Sequence, residues 1–120
     1  MRGIHLIGDC YGCAAETEAF RRADALAPIC VQLAREAGLA VLAQQFHQFE
    51  PVGVTGVVLL AESHLAVHTW PERGFASIDV YACNYTVDNA AKAQRLFDAM
   101  REVFLPQRLQ FRRIERGDHE

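Results

Sequence analysis

The chain has 120 residues, 51% of them apolar and 22% charged, with a formal net charge of −3. That length and balance point to one globular domain and argue against a disordered chain. A net negative charge argues against nucleic acid as the main partner, and no apolar run approaches the ~20 residues of a membrane span.

In chain order, Ile4–Ile7 reads as a short strand. The apolar run at the N-terminus is too short for a signal peptide and ends at Asp9, so a cytoplasmic protein with four reduced cysteines is expected. Cys10-Tyr11-Gly12-Cys13 reads as a loop. Phe20, Ala23, Leu26, Ala27, Cys30, Leu33, Ala34 and Ala37 recur at helical steps, with Asp24 as a candidate cap and Gly38 as the residue past the end. Pro28 is tolerable in that helix only near its first turn. Leu39–Phe49 and Val54–Ala61 read as strands. His64–Trp70 and Phe75–Cys83 form a hairpin about the turn Pro71-Glu72-Arg73-Gly74. A second helix runs from about Asp88 to Leu105 on the stripe Ala93, Leu96, Phe97, Met100, Val103, Phe104, and Pro106 stops it. A last strand covers Arg108–Ile114.

This order predicts an α+β two-layer sandwich: a largely antiparallel sheet with two helices on one face. The other face is left for water or a second subunit, and a homodimer is the expected answer. Arg108, Arg112, Arg113 and Arg116 read as a solvated edge rather than a binding patch.

Reactive side chains crowd into residues 62–72, followed by Asp79 and Cys83. If Trp70 faces Phe75, Ser63 falls opposite Ala82, and Cys83 falls beside the Glu62–Ser63 peptide bond. His68 lies five residues from Ser63, about 16 Å along an extended strand. It reaches Ser63 only if the chain turns near residues 62–64 or if the contact comes from across an interface; a hairpin turn at Glu62-Ser63-His64 is expected, although it does not by itself close the gap. Blander readings stand beside these. His64 and His68 have the spacing of a helical metal pair but sit in a strand, so no metal is expected. Cys10 and Cys13 have the spacing of a zinc half-site or of a redox pair, but no second Cys/His pair with ligand spacing accompanies them, and packing is the simpler reading. Cys30 suits a core, and Phe49 and Trp70 suit a core or interface. A Ser–His pair without an elbow motif is a weak hydrolase signal.

The run from Phe46-His47-Gln48-Phe49 through Gly53–Ala61 to Glu62-Ser63-His64-Leu65-Ala66-Val67-His68-Thr69-Trp70-Pro71-Glu72 resembles the prokaryotic S-adenosylmethionine decarboxylase proenzymes. The resemblance implies a self-processing enzyme that cuts itself between Glu62 and Ser63 and carries a pyruvoyl group derived from Ser63. It also implies a dimer of processed protomers, with S-adenosylmethionine decarboxylated to the aminopropyl donor of spermidine synthesis. No ordinary side chain stores the carbanion of a decarboxylation, whereas a ketone can form a Schiff base with the substrate amine and act as an electron sink. By the same resemblance His68 is the processing base and Thr55 assists the acyl shift. Cys83 protonates the substrate carbon, Glu72 holds the ribose hydroxyls, and Phe49 packs near the adenine and sulfonium.

The chain departs from the family's pattern at Arg73-Gly74-Phe75, at Ala82-Cys83-Asn84, and at Gln48, where an arginine is common. Glu50 adds an acid beside Phe49. These positions flank the expected pocket. Ornithine or arginine therefore stands as an alternative substrate, and a non-catalytic binding or regulatory homologue as a further one.

Overall fold

A computed structural model describes residues 2–84 and 88–117. Two-residue burial patterns fix which way each strand faces. In β1 (Arg2–Tyr11) Ile4, Leu6, Gly8 and Cys10 are buried, while His5, Ile7, Asp9 and Tyr11 between them are only partly covered. The same alternation marks β3 (Val54–Leu60), β4 (Ser63–Trp70) and β5 (Phe75–Cys83). With β2 (Val41–Gln48) and β6 (Arg108–Gly117) they form one antiparallel sheet in the order β2-β3-β4-β5-β1-β6.

Two helices, α2 (Ala23–Glu36) and α3 (Ala90–Phe104), cover one face; α2 lies over β2 and β3, α3 over β1 and β5. Leu26, Cys30 and Ala34 of α2 meet Leu96, Phe97, Met100 and Phe104 of α3. Both rows press on Leu6, Val58, Leu65, Val67 and Ile78 of the sheet. Among the described residues, none forms a layer over the opposite face, and Leu59 and Trp70 stand on it 48% and 39% exposed. The two-layer α+β architecture is thus as expected.

Several local expectations change. The helical pattern from Phe20 is broken at Arg22, which is extended (φ −124°, ψ 132°), so a short α1 (Glu18–Arg21) precedes α2. The cap position belongs to Arg22, and Asp24 sits in the first turn, where its charge suits the positive helix end. Pro28 lies beyond that turn, inside α2. There its ring nitrogen withholds one helical hydrogen bond, and packing of the apolar face carries the helix past it. Gly38 ends α2 as expected, with φ 93° and its N–H donating to Arg35 O. β1 runs through Cys10 and Tyr11, which pair with Leu109 and Arg108 of β6, so the predicted loop begins only after them.

The predicted turn also shifts. Leu60 pairs with Ser63, leaving Ala61-Glu62 as a two-residue hairpin loop. Ser63 is the first residue of β4, inside the ladder rather than lifted out of it.

Candidate active site

The expected site residues fall into two groups, each built by strand pairing. The first surrounds the Glu62–Ser63 bond. Ser63 pairs with Ala82, as the hairpin arithmetic requires, and the Cys83 N–H donates to Glu62 O at 3.1 Å. Cys83 is only 7% exposed. Its own carbonyl accepts from Asn89 Nδ2 at 2.9 Å, while Asn84 Oδ1 accepts from the Asn89 N–H at 2.8 Å. The backbone at Cys83 is therefore tied at both its N–H and its C=O. Asn89 occupies the cap position of α3 yet turns its side chain to Cys83. The helix start falls near where the sequence pattern predicts it, whereas the amide of Asn89 has no signal in that pattern. Ser63 also lines a cleft of about 130 Å³ with Leu39, Asn89 and Lys92 on the helix side.

The second group lies toward the other end of the hairpin. Thr55 and His68 are register partners on β3 and β4, and Thr55 Oγ1 lies 3.1 Å from His68 Nδ1. Beside them is a cavity of about 520 Å³ lined by Phe49, Glu50, Thr55, Trp70 and Glu72, among others. The Phe49 ring is 47% exposed and packs edge-on to His47, with centroids 4.7 Å apart. Trp70, read from sequence as core or interface, faces this cavity. It bridges His68 and Phe75, with centroids at 5.9 and 5.3 Å.

The two groups do not meet within one chain. Ser63 and His68 are an odd number of steps apart on β4, so they project from opposite faces, and about 16 Å of strand separates them. The turn shift found above does not close that gap.

Several polar residues resolve into structural work. Gln48 points to the helix side. Its Nε2 lies 3.0, 2.8 and 3.0 Å from the carbonyls of Arg21, Phe49 and Gly53, and its Oε1 accepts from the Ala23 N–H. It clamps the β2–β3 loop that carries Phe49. Glu50 lies 3.9 Å from the guanidinium of Arg22 and is largely exposed. His64 and His68 lie on one face of β4, four residues or about 13 Å apart, and each joins a different ring cluster. Among the described residues, no three His, Cys, Asp or Glu side chains are grouped to hold a metal. Burial pushes the Cys10 thiol up to about 12 and raises Cys13 as well, so both favour the unreactive thiol form. The Cys13 Sγ donates to Cys10 O at 3.4 Å, which fits the packing reading.

This sheet matches known proteins over nearly its whole length. The S-adenosylmethionine decarboxylase family pattern matches residues 4–117. An S-adenosylmethionine decarboxylase proenzyme of Picrophilus torridus is 36% identical over 96% of this chain and 84% of its own. One from Persephonella marina is 37% identical over 96% and 82%. The crystal structure of the adenosylmethionine decarboxylase from Aquifex aeolicus superimposes with a TM-score of 0.87 at 36% identity, covering 98% of this chain and 92% of that one. The chain belongs to the S-adenosylmethionine decarboxylase family.

Proposed function

We propose that this chain is a proenzyme that cuts itself between Glu62 and Ser63 and then decarboxylates S-adenosylmethionine with the pyruvoyl group left at residue 63. The observation that carries the reading is the Cys83 N–H held 3.1 Å from Glu62 O. Attack of Ser63 Oγ on that carbonyl builds negative charge on its oxygen, and a fixed backbone donor there stabilises it. The C–N bond breaks and an ester links Glu62 to Ser63. Removal of the Ser63 α-proton by His68 then expels the Glu62 carboxylate. The dehydroalanine left behind tautomerises to an imine, and water releases ammonia to give the ketone.

The residues present suit that group. Ser63 heads β4 directly after a two-residue turn and is paired on both sides, with Leu60 and Ala82. Once formed, the ketone supplies an electrophile for the substrate amine and an electron sink for loss of CO₂. The chain supplies the rest. Cys83 delivers a proton to the substrate carbon, Phe49 packs on the adenine, and Glu72 accepts from the ribose hydroxyls. Thr55 hydrogen-bonds to His68 and fixes its ring. Free thiols suit a cytoplasmic setting.

Because Ser63 and His68 lie on opposite faces of one strand, we infer a composite site. The end of the sheet that carries the Ala61-Glu62 loop, Ser63 and Cys83 would meet His68, Thr55, Phe49 and Glu72 of a second copy packed on the uncovered sheet face, with Ser63, which starts on the helix side, reaching them round the open end of β4. Exposed Leu59 and Trp70 on that face support it.

S-adenosylmethionine is favoured over a basic amino acid by the family and by the relatives' names. The extra acid, Glu50, already faces Arg22, so it offers a weaker counter-charge to a second cation. The test is mass spectrometry of the purified protein with a CO₂-release assay on S-adenosylmethionine, ornithine and arginine. Two fragments meeting at 62/63, a pyruvoyl on the second, and release from S-adenosylmethionine alone are expected. Faster release from ornithine or arginine would overturn the substrate, and an intact chain would overturn the enzyme.

A further inference from the structure

Scission creates a mechanical problem at the start of β4. Before the cut, residue 63 is held in the chain from both sides. Afterwards it is a chain end, linked only to His64. A pyruvoyl residue also has no backbone N–H to give to either neighbouring strand. Whatever fixes His64 therefore fixes the ketone.

His64 is held by a ring cluster on the uncovered face. Its register partner is Tyr81 on β5, with ring centroids 5.8 Å apart and the planes tilted by 35°. His5 of β1 meets both rings edge-on, 6.2 Å from His64 and 6.0 Å from Tyr81. The Arg116 guanidinium caps the Tyr81 ring at 4.9 Å. Gly3 makes room for the tyrosine, since a Cβ there would stand 3.0 Å from its hydroxyl and 3.2 Å from Cε1. His5 Nε2 is buried without a hydrogen-bond partner among the described residues, with Asp79 Oδ1 4.0 Å away. These histidines are held as packed rings. Burial and the neighbouring His5 lower the His64 pKa, favouring the neutral ring that packs.

We propose that Tyr81 is a positioning residue: resting on Gly3, its ring locks His64, and His64 in turn holds the ketone at residue 63 in line with Cys83. This rests on the reading that Ser63 becomes the pyruvoyl residue.

The test compares Tyr81→Ala and Tyr81→Phe with the wild type, each confirmed as fully split at 62/63 by mass spectrometry. Without substrate, amide hydrogen exchange over residues 64–66 should quicken in Tyr81→Ala and stay near wild type in Tyr81→Phe, which keeps the ring. With S-adenosylmethionine, Tyr81→Ala should lose about 10- to 100-fold in kcat while KM moves by no more than about twofold. A larger share of its chains should finish with an N-terminal alanine, the product of a misplaced proton. Tyr81→Phe should recover most of kcat. Should Tyr81→Ala fail to fold, His5→Leu removes a neighbouring ring at similar volume and should show the same pattern in weaker form. Wild-type exchange and wild-type kcat in either loosened variant would overturn the proposal. A wild-type chain that is not split at 62/63 would overturn the reading beneath it, and the first mass spectrum shows that before any variant is compared.

Discussion

His68 and Cys83 each have one chemical duty under this account, and each can be removed separately. His68→Ala keeps Ser63 Oγ and the Cys83 N–H, so the acyl shift should proceed and elimination should stall. Hydroxylamine, which cuts esters, should then release a fragment ending at Glu62; an uncut chain after that treatment would remove His68 from the elimination. Cys83→Ala keeps the backbone donor, because the group on Glu62 O is an N–H rather than the thiol. It should process and yet turn over about 10²–10⁴-fold more slowly, the usual contribution of a positioned acid. An unchanged kcat would return Cys83 to packing. Glu72→Gln should process normally while use of S-adenosylmethionine falls about 10- to 150-fold, the worth of a hydrogen bond to a charged group. Steady-state kinetics on the split enzyme reads this directly.

Elements place these residues through register, and register was legible in the sequence where a tight turn set it. Pro71-Glu72-Arg73-Gly74 fixed Trp70 opposite Phe75, and every pair from there to Ser63 and Ala82 followed. The other end of β4 was harder to read. Ala61-Glu62 carries no glycine or asparagine to mark a two-residue loop, so the sequence does not show that the turn lies one residue before Glu62-Ser63-His64. The break at Arg22 was hidden because Phe20 keeps helical spacing with the residues beyond it, although the backbone there is extended. Asn89 escaped because an asparagine before a helix reads as a cap, whereas its amide serves a backbone carbonyl six residues earlier. The helix layer itself depends on a close approach. A Cβ at Gly8 would stand 2.4 Å from the tip of the Phe97 ring. Gly8→Ala should therefore destabilise the fold by about 1–3 kcal/mol through overpacking. Chemical denaturation should show a lower midpoint with an unchanged slope, and an unaltered midpoint would mean that α3 can shift freely.

At the scale of the whole molecule, one sheet carries two groups of candidate site residues that do not meet on a single copy, and the proposed function makes them the halves of one site. Residues 62, 63 and 83 cluster at one end of the β3–β4–β5 hairpins. Thr55 and His68 pair some distance along them, next to the cavity of Phe49, Trp70 and Glu72. A two-fold dimer that buries the uncovered face would bring the end of one sheet to the middle of the other and make two equal sites. Co-expression of Ser63→Ala with His68→Ala tests this most directly. The first lacks the hydroxyl but keeps His68; the second keeps the hydroxyl but lacks the base. Mixed dimers contain one complete site, so mass spectrometry should find His68→Ala chains split at 62/63 and bearing a pyruvoyl, while neither variant alone yields that product. If the His68→Ala chains are no more processed in the mixture than alone, the composite site is contradicted.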